Sequence, residues 1–475
     1  MTELHYMSAT EALRAFRART LSPVELMEAV IARADKVDGT VNALCHRFDE
    51  RALDQAREAE ARYMGKGEAP RPLEGISMAV KEEEAVAGEP WTQGSLIYEH
   101  EVAKHNSPFA ERILESGAII HARATAPEFS CAGFTHSRLW GVTRNPWNTD
   151  FGVGGSSGGS GAALAAGTTT LASGSDIGGS IRIPASFNGV VGFKPPYGRV
   201  AQDPPFNYDI FCHVGPMART IADCALFQNA VSGAHPRDHV SIRQRVDLPE
   251  QFAPVDGLRV AVSVNLGDWP VDPEVAANTL QTAAALRSAG AIVEEVDISI
   301  PRALVMRVVS IHFNLIFAAM IDAEVQAHGD LMNDYALEFA ARSRAESAGA
   351  GLLDEYSLLA QLYEPVGALL EQYDALLCPT VGTRGLAAGD SYVGHGLTVG
   401  GVELDHYFDS IMTAPFNALS RCPVLAVPSG FGDNGVPTGV QIVGRTYDDE
   451  TVFRLGAALE QVQPWFDTPA RRPQL

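Results

Sequence analysis

The stretches GVGGSSGGSGAALAAG (152–167) and SGSDIGGSIRIPASFNGVVGFKP (173–195) decide how this chain is read. Glycine at this density exposes backbone N–H groups, so such loops receive an anion or let a substrate approach the main chain closely. A dinucleotide fingerprint needs Gly at i, i+2 and i+5, and no register within 152–161 supplies it; GxxxxGK[ST] is also absent. The string Gly154-Gly155-Ser156-Ser157-Gly158 does satisfy GxSxG, the nucleophile elbow of α/β-hydrolases, which would make Ser156 the nucleophile of an esterase. An elbow needs a strand before it and a triad Asp and His after it. The preceding NPWNTDFGV reads as a loop.

Outward from these loops, short β-rich runs bounded by Gly or Pro alternate with helical stretches: GISMAV (75–80), AIIHA (118–122), VVGFK (190–194), LRVAVSV (258–264), AIVEEVDI (291–298), ALLCPTV (375–381), VLAVPSG (424–430) and GVQIVG (439–444). That alternation predicts an α/β fold, a mixed sheet with helices on both faces. LRVAVSV, a helix with Asp272 and Pro273 at its start and Gly290 past its end, and a second strand form a βαβ unit. Asn434-Gly435 between the last two strands predicts an antiparallel hairpin. Ser8 with Glu11, and Ser22-Pro23 with Glu25, are capping boxes that open two helices. Residues 233–257, rich in Pro and charge, read as a long surface connection. Residues 300–372 read as a helical, cap-like insertion whose apolar part, 303–321, is either a core helix or the wall of a substrate pocket.

Composition bounds the partners. With 36 Lys+Arg against 58 Asp+Glu, a net charge of −22, the chain repels phosphate backbones, which disfavours nucleic acid and anionic membranes as partners. The longest apolar run, Leu315 to Ile321, is far short of a bilayer span, and the N-terminal MTELHYMSATEALRAF lacks a secretory h-region, so a cytoplasmic protein is expected. Cys45, Cys131, Cys212, Cys224, Cys378 and Cys422 show no metal or disulfide spacing and are expected to be free, largely buried thiols. The histidines form no HExxH, so no metal is expected.

Lys81 at the end of GISMAV, Ser156 in the first glycine-rich loop and Ser180 in the second, 24 residues further on, form one combination. It resembles the amidase signature family of serine hydrolases. The resemblance is densest over 151–195, continues in GPMARTIADCAL (215–226) and CPVLAVPSG…GVPTGVQIVG (422–444), and implies a single domain over 1–475 with a signature core at about 75–230. It implies Ser180 as nucleophile, Ser156 as a bridging serine after a cis peptide, Lys81 as terminal base, and an oxyanion hole from the amides of Ile177, Gly178, Gly179 and Ser180. A hydroxyl attacks only when a base takes its proton, and a lysine serves as base only when neutral. No cofactor is implied. The implied reaction is hydrolysis of a C–N bond in an amide or carbamate, urethanes included, by a monomer or homodimer. The alternative within the family is the glutamine-hydrolysing subunit of a tRNA-dependent amidotransferase, which works with partner subunits.

Around this core, Ser157 and Ser160 are expected to cap the helix GAALAAG, and Asp176 and Arg182 to form a structural ion pair rather than touch substrate. Where the family usually has Asp after the lysine, this chain has Glu82, and Glu82, Glu83 and Glu84 are expected to point outward. Segment 303–321 with Phe408, Met412 and Phe416 suggests a hydrophobic or aromatic substrate portion.

Overall fold

A computed structural model describes residues 3–475. Both capping boxes form: Ser8 and Glu11 close the first turn of helix Ala9–Ala18, and Ser22 and Glu25 that of helix Pro23–Val41. Eleven strands make one sheet: β1 (Leu44–Arg47), β2 (Ser77–Lys81), β3 (Ile119–Ala124), β4 (Leu171–Asp176), β5 (Val191–Lys194), β6 (His213–Ala218), β7 (Arg259–Val262), β8 (Ile292–Glu295), β9 (Ala375–Pro379), β10 (Val424–Phe431) and β11 (Pro437–Gly444). Their spatial order is β1-β3-β2-β4-β6-β5-β10-β11-β9-β7-β8. The sheet is mixed as predicted. β2 runs parallel to β3 and β4, and β9 parallel to β7, while β4–β6 and β10–β11 are antiparallel.

Both faces are covered. In β7, Val260 and Val262 enter one hydrophobic cluster and Ala261 another, as a period of two requires when neither face meets water. The βαβ unit and the hairpin both form, with β7, helix Pro273–Ser288 and parallel β8 for the first and Gly435 at φ +76° turning the second. Asp272 stands at the helix start, but its carboxylate accepts from the amides of Arg384 (2.9 Å) and Gly400 (2.8 Å), holding distant loops. All six cysteines are free, four of them buried.

Two short helices sit behind the glycine-rich loops, α1 (Gly158–Ala166) and α2 (Arg182–Asn188), every residue of them buried. Between β8 and β9 comes a run of four helices, α3 (Arg302–Leu315), α4 (Phe317–His328), α5 (Asp334–Glu346) and α6 (Leu352–Leu370). The apolar segment divides its work: Val305 and Val308 lie wholly in the core, Val309 and Phe313 join the same core and also line a cavity, and Met306 and Phe317 line that cavity with them. α3 and the segment beginning with α4 meet at a 51° bend, and no single described helix is long and apolar enough to cross a membrane.

His312 of α3 ties this helical layer to the body. Its Nδ1 lies 2.6 Å from Glu355 Oε1 on α6 and its Nε2 2.7 Å from Asp209 Oδ1 in the loop before β6, and its ring stacks on Phe211. Burial alone lowers its pKa from 6.5, but hydrogen bonds to Asp209 and Glu355 and their charges outweigh that and raise it to about 9. A pKa raised in the folded state gives stability that is complete below 6.5 and lost as pH rises through 9. The contribution is of the order of 3 kcal/mol. Denaturant unfolding of wild type and His312→Gln should therefore show a gap that narrows from pH 7 to pH 10; a constant gap would mean that the imidazole is not charged in the fold.

Candidate active site

Lys81 is the last residue of β2, and its neighbour β4 presents Ser173 and Ser175 on one face two residues apart. Ser173 Oγ accepts from the Lys81 amide (2.9 Å). Lys81 Nζ donates to Ser156 Oγ (2.7 Å) and Ser175 Oγ (2.8 Å), and lies 3.0 Å from Glu83 Oε1. The Gly155–Ser156 peptide is cis. Glycine is required at 155 for a packing reason: a Cβ there would overlap the Phe134 carbonyl and stand 2.6 Å from the Phe134 nitrogen and 2.7 Å from the Ala132 carbonyl.

The second loop lies against the first, the Ser157 amide donating to the Ser180 carbonyl (3.1 Å). Ser156 is 1% exposed and Ser180 7%, and of the two only Ser180 lines the cavity. Among the described residues, the amides of Ile177, Gly178, Gly179 and Ser180 donate to no backbone carbonyl, which leaves four successive N–H groups unpaired in the loop that leads into Ser180. The loop's shape is held from both sides. Thr413 Oγ1 donates to the Gly178 carbonyl (2.7 Å), Gly179 sits at φ +126°, and the Ile183 amide donates to the Gly179 carbonyl (2.7 Å).

Asp176 and Arg182 form the expected structural pair. All five guanidinium N–H groups are used, on Asp176, on Gln441 Oε1 (2.8 Å), on Asn417 Oδ1 (2.7 Å) and on the Thr413 carbonyl (3.0 Å), so Arg182 has none left for a substrate. Burial raises the Asp176 carboxyl, but the Arg182 charge and hydrogen bonds dominate and bring it down to about 2.

Three expectations are corrected. Ser157 and Ser160 do not cap α1: Ser157 Oγ accepts from the Ser175 amide (3.2 Å), and Ser160 Oγ donates to the Ser173 carbonyl (2.7 Å), so both fasten the helix to β4. Glu82 to Glu84 turn inward, because each finds a donor from a distant segment: Glu82 takes Thr92 Oγ1 (3.0 Å) and the Gly94 amide, Glu83 takes Ser130 Oγ and Lys81, and Glu84 takes Ser107 Oγ. Of Phe408, Met412 and Phe416 only Phe408 reaches the cavity, the other two being core, whereas segment 303–321 does contribute Met306, Val309, Phe313 and Phe317 to the lining.

The cavity runs from Ser180 to the helical layer between Phe313, Phe317, Phe339, Phe408, Tyr335 and Tyr407, with Glu338, Arg342 and Glu346 at its rim. Sequence reasoning missed Ser173, Ser175, Glu83 and the aromatic residues of α5. The hydroxyls were findable, since SxS in LASGSD places both on one face if the segment is a strand. Ser156 contacts a lysine, and its loop follows no strand, so the geometry of a nucleophile elbow is absent.

A mixed sheet carrying two glycine-rich loops over a buried lysine, beneath an apolar cavity, has the makings of a serine-based α/β enzyme, and comparison with known proteins gives its class as one acting on amide C–N bonds. The family model described as Amidase matches residues 25–453. The chain is 32% identical to a glutamyl-tRNA(Gln) amidotransferase subunit from Chloroflexus aggregans over 100% of this chain and 99% of that one. It is 33% identical to the acylamidase of Rhodococcus erythropolis over 98% of each. The crystal structure of a bacterial aryl acylamidase of the amidase signature enzymes family superposes with a TM-score of 0.89 at 28% identity, covering 99% of this chain and 100% of that one. This chain belongs to the amidase signature family.

Proposed function

We propose that this protein hydrolyses amides bearing an apolar or aromatic portion through an acyl-enzyme on Ser180. The observation that carries the reading is the aromatic cavity that ends at Ser180, the serine that is exposed to it. In the forward step Ser180 Oγ bonds to the substrate carbonyl carbon, its proton passes to Ser156 Oγ, and the Ser156 proton passes to Lys81 Nζ, 2.7 Å away. The carbonyl oxygen takes the negative charge, received by the amides of 177–180. Collapse breaks the C–N bond, the amine leaves with a proton returned through the same chain, and water then attacks the ester carbonyl to release the acid and free Ser180. Carbamates present the same carbonyl to the same atoms and fall within the proposal.

A second reading, a glutamine-hydrolysing component of a larger complex, is favoured by the full-length match to the Chloroflexus amidotransferase protein. The cavity supports the first reading through its six aromatic rings, which suit an apolar or aromatic group, while Glu338, Arg342 and Glu346 in the same lining are the groups that a charged amino-acid head would need. The test is a panel of aryl-acyl anilides, short aliphatic amides, aryl carbamates and glutamine on purified protein. The expected result is a kcat/KM for the aryl-acyl anilides at least about tenfold above the short amides, as loss of apolar contact in a pocket produces. Preference for glutamine, or copurification of stoichiometric partner proteins, would favour the second reading.

A further inference from the structure

Lys81 is 1% exposed, and its Nζ meets three oxygen acceptors, Ser156 Oγ at 2.7 Å, Ser175 Oγ at 2.8 Å and Glu83 Oε1 at 3.0 Å. An ammonium has three N–H donors, so that set is complete for the charged form; a neutral amine has two N–H groups and one lone pair. If Ser175 and Glu83 take the two N–H groups, the lone pair can only face Ser156. Glu83 itself is braced from behind. Ser130 Oγ donates to its other carboxylate oxygen, and its backbone carbonyl accepts from Trp91 Nε1 (2.6 Å).

Glu83 is the carboxylate in contact with Nζ. Glu82 is occupied by Thr92 and Gly94, and Glu84 by Ser107. Arg123 donates to the carbonyls of Lys81, Glu82 and Glu84 and pairs with Glu89. Of the remaining groups with a field at this spot, Cys212 is a buried thiol and Asp203 acts on Glu84. Burial would raise the Glu83 carboxyl, but the Lys81 charge and hydrogen bonds from Ser130, Ser175 and Lys81 overcome it and keep the group ionised.

We propose that Glu83 is a positioning residue for the Ser180–Ser156–Lys81 chain, one that aims the Lys81 lone pair at Ser156 and stabilises the ammonium formed as Ser180 attacks. The inference rests on the proton route proposed above. Its consequence is a trade: a carboxylate 3.0 Å from Nζ favours the ammonium over the amine, which helps the base take the Ser156 proton and opposes the neutral form that begins the step, so removing that charge should let the enzyme turn on at lower pH and run slower once on.

Glu83→Gln keeps the shape and an acceptor but removes the charge. In single-turnover acylation across pH, its acid limb should move to lower pH by about one unit or more, with a plateau about three- to tenfold below wild type. An altered packing contact would scale the rate at every pH without moving the limb. Glu83→Asp keeps the charge and withdraws it, and should move the limb in the same direction by less. A limb that stays in place or moves to higher pH in both folded variants overturns the proposal; if Glu83→Gln does not fold, the Glu83→Asp profile decides alone. Lys81→Ala is the separate control on the route: a wild-type profile there overturns the route itself, whereas loss of the limb in Lys81→Ala with an unmoved limb in the Glu83 variants removes only the role of Glu83.

Discussion

A fluorophosphonate will label wild-type protein at Ser180 with one equivalent, and Ser180→Ala will take up none. Amide hydrolysis in that variant should fall roughly 10⁴- to 10⁶-fold, because on the proposed route the substitution removes the atom that forms the acyl bond and leaves only binding and the loop amides. On the proposed route Ser156→Ala removes a relay and spares the attacking atom. Its acylation rate should drop by about 10²- to 10⁴-fold, the range of a lost proton transfer, yet labelling at long times should still reach Ser180. Burial gives the two serines these different fates. Ser156, 1% exposed, has its hydroxyl on Lys81, whereas Ser180 faces the cavity. Peptide mapping is the measurement. An adduct on Ser156 would make that serine the nucleophile and reverse the assignment, whereas complete and equal loss of labelling in both folded variants would count against distinct roles for the two serines.

What the sequence disclosed and what it concealed divide along a physical line. Runs with apolar alternation between Gly and Pro became strands, and the Ser/Glu caps became helix starts, because those signals act over a few residues. β4 and β6 escaped notice because LASGSD and HVGPMA carry little of the usual strand composition. Their glycines answer to close packing instead. A Cβ on Gly215 would stand 2.5 Å from the Phe193 carbonyl, and one on Gly174 would stand 2.8 Å from Ile181 Cγ1. The charge run Glu82 to Glu84 misled for a related reason: three adjacent carboxylates read as a solvated turn until donors from Thr92, Ser130 and Ser107 arrive, and only the fold brings them. The clamp on His312 was equally hidden, with partners 103 and 43 residues away. Lys81, Ser156 and Ser180 stood out in the sequence through the family resemblance of their combination, and the glycines around the two serines add a backbone requirement that local side-chain preferences do not reveal.

Gly179 offers the sharpest test of that last point. At φ +126° an added Cβ is disfavoured by the backbone alone, and here it would also overlap Thr413 Oγ1 and stand 2.7 Å from Thr413 Cβ. Thr413 cannot simply retreat, since its hydroxyl donates to the Gly178 carbonyl and its own carbonyl accepts from Arg182. Gly179→Ala should therefore cost about 2–4 kcal/mol of stability from strain and overpacking together. The effect on rate should be larger in proportion. Turning the peptide on either side of Gly179 re-aims two of the four unpaired amides proposed to receive the oxyanion, and loss of one oxyanion donor costs about 10²- to 10³-fold in kcat. Pairing Gly179→Ala with Thr413→Gly removes the atoms that collide but also the hydroxyl that aims Gly178. The double variant should regain part of the denaturant midpoint and little of the activity. Measuring kcat and unfolding for the set separates the two: a Gly179→Ala enzyme with wild-type kcat would show that these amides do not hold the oxyanion, whatever its stability.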